Sequence, residues 1–161
     1  MESNDSEWFN LDCRSDILKI GGGRYTPDII AQADNIPVDD NTFDEVLAHS
    51  ILEHVSKRDY NRFLSEWYRV MKPNGKLIIS VPDIYLVCKD LIHYIETNQS
   101  VAIKSTINLI YGEQDYKENT HLWGWTEETL TTAIRRAGFT GSIRRLKSER
   151  YPSELLMEVI K

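Results

Sequence analysis

Apolar and polar positions along the chain form blocks that predict strands and helices in turn. The strongest strand pattern is KLIISV at residues 76–81, a nearly continuous apolar run of the kind that central parallel strands have. Residues 43–48 predict another strand, and residues 8–11 and 28–33 predict two short strands that are each followed closely by an acid. Strands that alternate with helices are typical of α/β folds, so we expect a mostly parallel sheet with flanking helices.

One amphipathic helix is predicted between two of these strands. Residues 59–71 repeat apolar side chains every three to four positions, which is the period of a helix with one buried face. We expect it to end at the sequence KPNG, residues 72–75, because proline cannot continue a helix. Asn74 or Gly75 is then expected to adopt the positive φ of a C-terminal turn.

The second half of the chain contains two more helices and two closing strands. Residues 84–96 have one apolar face, and Thr126 is predicted to be the N-cap of a helix that ends at Gly138. Residues 142–147 and 155–160 predict the strands. The whole chain, residues 1–161, is therefore expected to be a single domain.

Residues 100–125 are the least regular segment. They lie between the last central strand and the last predicted helix, and they contain Asp115, His121 and two tryptophans. Folds of this class usually place substrate-facing elements in such insertions. We therefore expect residues 100–125 to face a substrate.

Composition excludes several classes of function. The 25 acidic and 19 basic residues give a net charge of −6, which argues against a nucleic-acid partner. The two cysteines are too few for a disulfide framework and have no histidine at metal-ligand spacing, so no metal site is predicted. Because no apolar run approaches 18 residues and the start is polar, we expect no membrane span or signal peptide, and a cytoplasmic protein.

Five stretches form a recognisable combination: EWFNLD from Glu7, ADNIPVDDNTFDEV from Ala33, ILEHV from Ile51, WYRVMKPNGKL from Trp67, and HLWGWTEETL from His121. Together they resemble the class I S-adenosylmethionine-dependent methyltransferases, and most closely the type 11 group with its small predicted members. The resemblance covers nearly the whole chain from Trp8. It implies a Rossmann-like sheet, methyl transfer and S-adenosylmethionine as the cofactor.

The resemblance also implies cofactor-binding residues. Asp12 matches the acid that accepts hydrogen bonds from the ribose hydroxyls. Asp34, with Asn35 and Ile36 beside it, matches the residues that read the adenine amino group and flank the ring. These residues all follow predicted strands, which is where open parallel sheets bind ligands.

The acceptor side is expected after the strand at residues 43–48. His49 and Ser50 match the position that faces the methionine end of the cofactor and the acceptor. For a small-molecule or saccharide-like acceptor, a neutral His121, or Asp115 nearby, is expected to take the proton from a hydroxyl group. His54 is expected to be structural.

The chain departs from the family at its start. The first strand and its GxGxG loop should lie just before Trp8, where only seven mostly polar residues are present. The chain offers two alternatives to this loop. One is the triple glycine at residues 21–23, although a flexible turn is the better interpretation of it. The other is residues 9–15, as a degenerate copy of the loop. An inactive methyltransferase-like binding or assembly module therefore stays open as the alternative function.

The missing strand has a consequence for the sheet. In the resembled fold it lies centrally, between the strands predicted at residues 8–11 and 43–48. Without it, two inner edges have unpaired backbone N–H and C=O groups. We expect these strands either to pair directly or to take a strand from another copy, which would make a homodimer.

Overall fold

The computed structural model describes residues 7–14 and 27–161. Within these residues two sheets are formed. The smaller sheet pairs β1 (Leu11–Asp12) with β2 (Ile29–Ile30). The larger sheet has the order β3-β4-β6-β5, and its strands are β3 (Phe43–His49), β4 (Met71–Pro82), β5 (Ile143–Leu146) and β6 (Glu154–Ile160).

The helices are α1 (Tyr60–Val70), α2 (Ile84–Glu96), α3 (Ser100–Tyr111) and α4 (Glu127–Arg136), and a short 3₁₀ turn covers Leu52–His54. Three of the four helices were predicted by the sequence. The exception is α3, which lies in the segment that we expected to be irregular. None of the helices in the described part of the chain is long and apolar enough to cross a membrane.

Strand directions confirm the α/β class. β1 and β2 are parallel, as are β3 and β4, whereas β6 runs antiparallel to both β4 and β5. β1 to β4 therefore form the parallel pairs that we expected, whereas β5 and β6 add antiparallel strands. β1 and β2 are shorter than predicted, with two residues each.

The turn between α1 and the central part of β4 has the predicted chemistry. Asn74 adopts a φ of 64°, in the left-handed region that asparagine tolerates. At Gly75 an added Cβ would lie 2.8 Å from the carbonyl oxygen of Lys72, so a side chain would collide with the backbone. This tight turn lies within the first part of β4 and leads the chain into the central part of that strand.

The hydrophobic core lies between the larger sheet and the helices α1 and α4. Alternate residues of β4 and β6 are fully buried, and so are Leu64, Trp67, Leu130 and Ile134 on the two helices. Trp125, from the end of the insertion, is buried against Tyr60 with its ring in an edge-to-face contact. The core therefore connects the insertion to the sheet.

A cleft separates the two sheets. In the described residues β1 does not pair with β3, so the expectation of direct closure was wrong. Phe9 and Phe43 approach to 6.3 Å between ring centroids, but a cleft of about 810 Å³ lies along the edge of β3 that has no strand partner among the described residues. A physical reason is that β1 has only two residues, which offer few backbone groups for a ladder with β3.

We predict that Trp67→Ala lowers the free energy of unfolding by roughly 3 to 5 kcal/mol, mainly because it leaves a cavity in the core. Trp67 is 2% exposed, and its indole N–H donates to the Ala33 carbonyl at 2.9 Å. Denaturant unfolding measures the loss. Trp8→Ala is the control, since that ring is 49% exposed. A loss for Trp67→Ala no larger than for Trp8→Ala would contradict the assignment.

Candidate functional site

The cleft between the sheets is the first part of the candidate site. It is lined by Asn10 and Leu11 beside β1, by Ala33 and Ile36 after β2, and by His49 at the end of β3. Its volume of about 810 Å³ falls in the range of small-molecule sites. Of the candidate cofactor residues, Ile36 and His49 line a space that can contain a ligand.

Asp12 ends β1 and is held by Arg14. Its carboxylate accepts hydrogen bonds from the backbone N–H of Arg14 at 2.8 Å and from Nε at 3.3 Å. The hydrogen bond to Asp12 raises the pKa of Arg14, whose guanidinium lies 5.3 Å from the ring centroid of Tyr116. The Nη1 atom of Arg14 is buried and has no hydrogen-bond partner. A charged donor and a charged acceptor therefore stand side by side at the end of β1.

Asp34 lies after β2 and forms an ion pair with Arg62 of α1. Its side chain is mostly buried, whereas Asn35 is exposed in the turn that follows. Ile36 is buried, and its N–H donates to the Glu66 carboxylate at 2.6 Å. These contacts anchor the turn on α1, so the backbone here is fixed in place.

His49 and Ser50 lie at the carboxyl end of β3. His49 places Nδ1 2.9 Å from the hydroxyl oxygen of Ser80 on β4. Ser50 has a φ of 52° and donates its N–H to the Ser80 carbonyl at 3.0 Å. Arg150 donates to the Ser50 hydroxyl oxygen at 3.3 Å. The neighbouring strand therefore sets the positions of both residues.

A second group of polar side chains lies beyond Ser50. The carbonyl of Glu53 accepts hydrogen bonds from Leu122 at 2.8 Å and Trp123 at 3.2 Å, which joins the insertion to the 3₁₀ turn. This contact brings His121 next to His54, with ring centroids 4.8 Å apart and an edge-to-face geometry. Potential metal-ligand atoms of Glu53, His54 and His121 all lie within 4.8 Å of one another.

Burial shifts the ionisation of all three groups. It lowers the pKa of His54 and of His121, so both rings are neutral at pH 7. Nδ1 of His54 contacts the Thr120 carbonyl at 3.2 Å, and Nδ1 of His121 contacts the Leu109 carbonyl at 3.0 Å. Burial also raises the pKa of Glu53 to about 7. Its Oε2 atom has no hydrogen-bond partner.

The two candidate bases, Asp115 and His121, have different contacts in the structure. Asp115 is exposed and accepts a hydrogen bond from the Asn119 amide, whereas His121 contacts His54. Sequence reasoning missed Glu53 and treated His54 as structural only. Both alternative glycine-loop hypotheses involve residues outside the described part of the chain: residues 21–23 entirely, and residues 9–15 at their last position.

Comparison with known sequences identifies the first half of the chain. Residues 4–79 match the family described as "Methyltransferase domain". A demethylmenaquinone methyltransferase of Geobacillus sp. is 37% identical over 79 residues, which is 45% of this chain and 33% of that protein. An uncharacterised protein of Methanocaldococcus jannaschii is 45% identical over 53 residues, 33% of this chain and 22% of that protein. The chain therefore matches no more than a third of the length of these curated relatives.

Solved structures share the fold over almost the whole chain. A possible histamine N-methyltransferase of Thermotoga maritima has a TM-score of 0.59 at 19% identity, covering 94% of this chain and 72% of that one. A methyltransferase of Archaeoglobus fulgidus has a TM-score of 0.58 at 16% identity, covering 94% and 74%. Residues 4–79 thus match a methyltransferase family, and the chain shares its fold with solved S-adenosylmethionine-dependent methyltransferases.

Proposed function

We propose that the protein transfers a methyl group from S-adenosylmethionine to a small-molecule or saccharide-like acceptor. The observation that carries this proposal is the cleft lined by Leu11 and Ala33, each of which is followed directly by an acid, Asp12 at the end of β1 and Asp34 after β2. Parallel sheets bind nucleotides beyond the carboxyl ends of such strands. The family match supports methyl transfer over the alternative of an inactive binding or assembly module.

The residues beside the cleft fit the adenosine part of the cofactor. A ribose hydroxyl can donate to the Asp12 carboxylate and accept from Nη1 of Arg14, the buried donor that has no partner. The adenine can contact the carboxylate of Asp34, the exposed amide of Asn35 and the apolar side chain of the buried Ile36. His49 and Ser50 then face the methionine end. When bound, the cofactor supplies a methyl group activated by its sulfonium.

This chain's own contribution is to orient the acceptor and remove its proton. Between the two candidate bases, the contacts favour His121. With Nδ1 donating to the Leu109 carbonyl, the neutral ring has its lone pair on Nε2, which can accept a proton from a hydroxyl group. Asp115 is exposed and already bonded to Asn119, so it is the second candidate.

A small acceptor agrees with the names of the structural neighbours. The Thermotoga maritima protein is described as a possible histamine N-methyltransferase. A Burkholderia thailandensis structure, with a TM-score of 0.54 at 15% identity, contains 1,6-didemethyltoxoflavin and S-adenosylhomocysteine, and this chain spans 59% of it. Histamine and didemethyltoxoflavin are small molecules. The net charge of −6 supports the same proposal, since it disfavours nucleic acid as acceptor.

Asp12→Ala is expected to weaken S-adenosylhomocysteine binding by about 10 to 100-fold, because one or two hydrogen bonds to a charged group are lost. Calorimetric titration measures the change, and thermal unfolding shows whether the fold survives the loss of Arg14's partner. Asp39→Ala, in an exposed loop, is the matched control and should bind as wild type does. Equal affinities of wild type and Asp12→Ala would remove Asp12 from the site.

For His121→Ala we expect unchanged S-adenosylhomocysteine binding and turnover lower by about 100-fold or more, the usual contribution of a positioned base. The assay uses an acceptor found by screening small hydroxyl compounds with wild type. The control is His93→Ala, which changes an exposed histidine of α2. Full turnover by His121→Ala would exclude the general-base role.

Among the described residues one edge of β3 has no strand partner, which leads to a prediction about affinity and assembly. Because the described residues place no strand backbone along this edge, we expect S-adenosylhomocysteine to bind weakly, with a Kd between about 10 μM and 1 mM. We also propose that a second copy covers the edge, so sedimentation should detect a homodimer. A monomer that binds S-adenosylhomocysteine with sub-micromolar affinity would contradict both statements.

A further inference from the structure

Glu53, His54 and His121 have the properties of a metal-binding site. Two neutral imidazoles and one carboxylate converge, and their potential ligand atoms lie within 4.8 Å of one another. We propose that these three side chains bind one divalent transition-metal ion of the Zn²⁺ type. Two histidines and a glutamate are an established zinc ligand set that leaves one coordination position open.

Glu53 is the observation that points most directly to a cation. Its side chain is buried, the residue being 2% exposed, and Oε2 lacks any hydrogen-bond partner. Ionising a carboxylate in this buried position is costly, because one of its oxygens has no hydrogen bond in place of the hydration that it loses. A bound cation would remove this cost.

Both histidines are oriented as metal ligands usually are. Each directs Nδ1 at a backbone carbonyl, Thr120 for His54 and Leu109 for His121. Such a second contact fixes the tautomer and leaves Nε2 free to bind a metal. Because the carbonyls belong to two different segments, the insertion and the end of α3 both support the site.

The geometry requires only a small adjustment. Tetrahedral coordination with bonds of about 2.0 to 2.2 Å places ligand atoms about 3.4 Å apart. The three side chains must therefore draw together by on the order of 1 Å, which rotations about their χ angles can provide. The two nitrogen ligands favour Zn²⁺ over Mg²⁺, which prefers oxygen ligands.

This site does not depend on the proposed methyl transfer, since metal binding needs neither cofactor nor acceptor. It does restrict the role of His121. A ring nitrogen that binds a metal has no lone pair left for a proton, so while the ion is bound His121 is a ligand and not a general base. Metal titration and the turnover assay therefore test separate statements about this residue.

The experiment uses the full chain after removal of metal with a chelator and dialysis. Calorimetric titration with Zn²⁺ should show one site with a Kd of about 10 μM or tighter, and Mg²⁺ at the same concentration should not bind. Zn²⁺ should also raise the melting temperature, because it binds the native state. Absence of Zn²⁺ binding, or equal binding of Mg²⁺, would overturn the proposal.

Variants test whether the three side chains hold the ion. His54→Ala and His121→Ala should each weaken Zn²⁺ binding by at least about 100-fold, and His93→Ala, an exposed histidine of α2, should leave it unchanged. If His93→Ala weakened Zn²⁺ binding as much as the other two variants do, Zn²⁺ would be binding at the surface, and the proposed site would be wrong.

Glu53→Gln keeps the size of the side chain and guards against loss of the fold. Added Zn²⁺ should raise the melting temperature of this variant much less than that of wild type. An equal Zn²⁺-dependent rise in both proteins would show that Glu53 does not bind the ion.

Discussion

The carboxyl end of β4 is the constraint on which the candidate site depends. Within a few residues it fixes β3 through Ser80, whose carbonyl and hydroxyl contact Ser50 and His49. The next residues bind the insertion, since Ile84 donates its N–H to the Trp125 carbonyl at 2.8 Å. Asp83 is buried and pairs with Arg145 of β5 at 2.9 Å. Three separate segments therefore meet at one strand end.

Acidic side chains near the carboxyl ends of the strands have basic side chains next to them. The three acids that follow strands β1, β2 and β4 each have an arginine beside them: Arg14 for Asp12, Arg62 for Asp34 and Arg145 for Asp83. Each pair places a guanidinium next to a carboxylate in a partly buried position, so the charge of the acid is neutralised close to the strand end.

How well the sequence predicted each part depends on the range of the interactions involved. α1, α2 and α4 were predicted because helical periodicity and capping residues such as Thr126 are local, and Thr126 does cap α4. The lengths of β1 and β2 were wrong because the length of a strand depends on its partners, and the sequence pattern does not show that β1 pairs with β2 alone among the described strands. α3 was missed because its apolar residues do not form a single face: Val101 is 82% exposed.

The candidate site shows the same dependence on range. The strand-end acids were predicted from short motifs that resemble a family, and the residues just before them, Leu11 and Ala33, line a cleft. Glu53, His54 and His121 were not recognised as a group, because 66 residues lie between the two histidines and long-range contacts such as that between Glu53 and Leu122 bring them together. Spacing rules for metal ligands apply to neighbours in sequence, so they do not detect such a cluster.

The packing of α2 and α3 bears on local unfolding. Val87 and Thr106 are their buried residues, and most of their remaining surface meets each other or solvent. Helices with so little buried area open at a lower free energy than the sheet, so their amides should exchange with solvent earlier than those of β4. Because the Leu109 carbonyl of α3 orients His121, each such opening releases the imidazole ring. Fluctuations of a peripheral helix pair are thereby transmitted to a side chain next to the core.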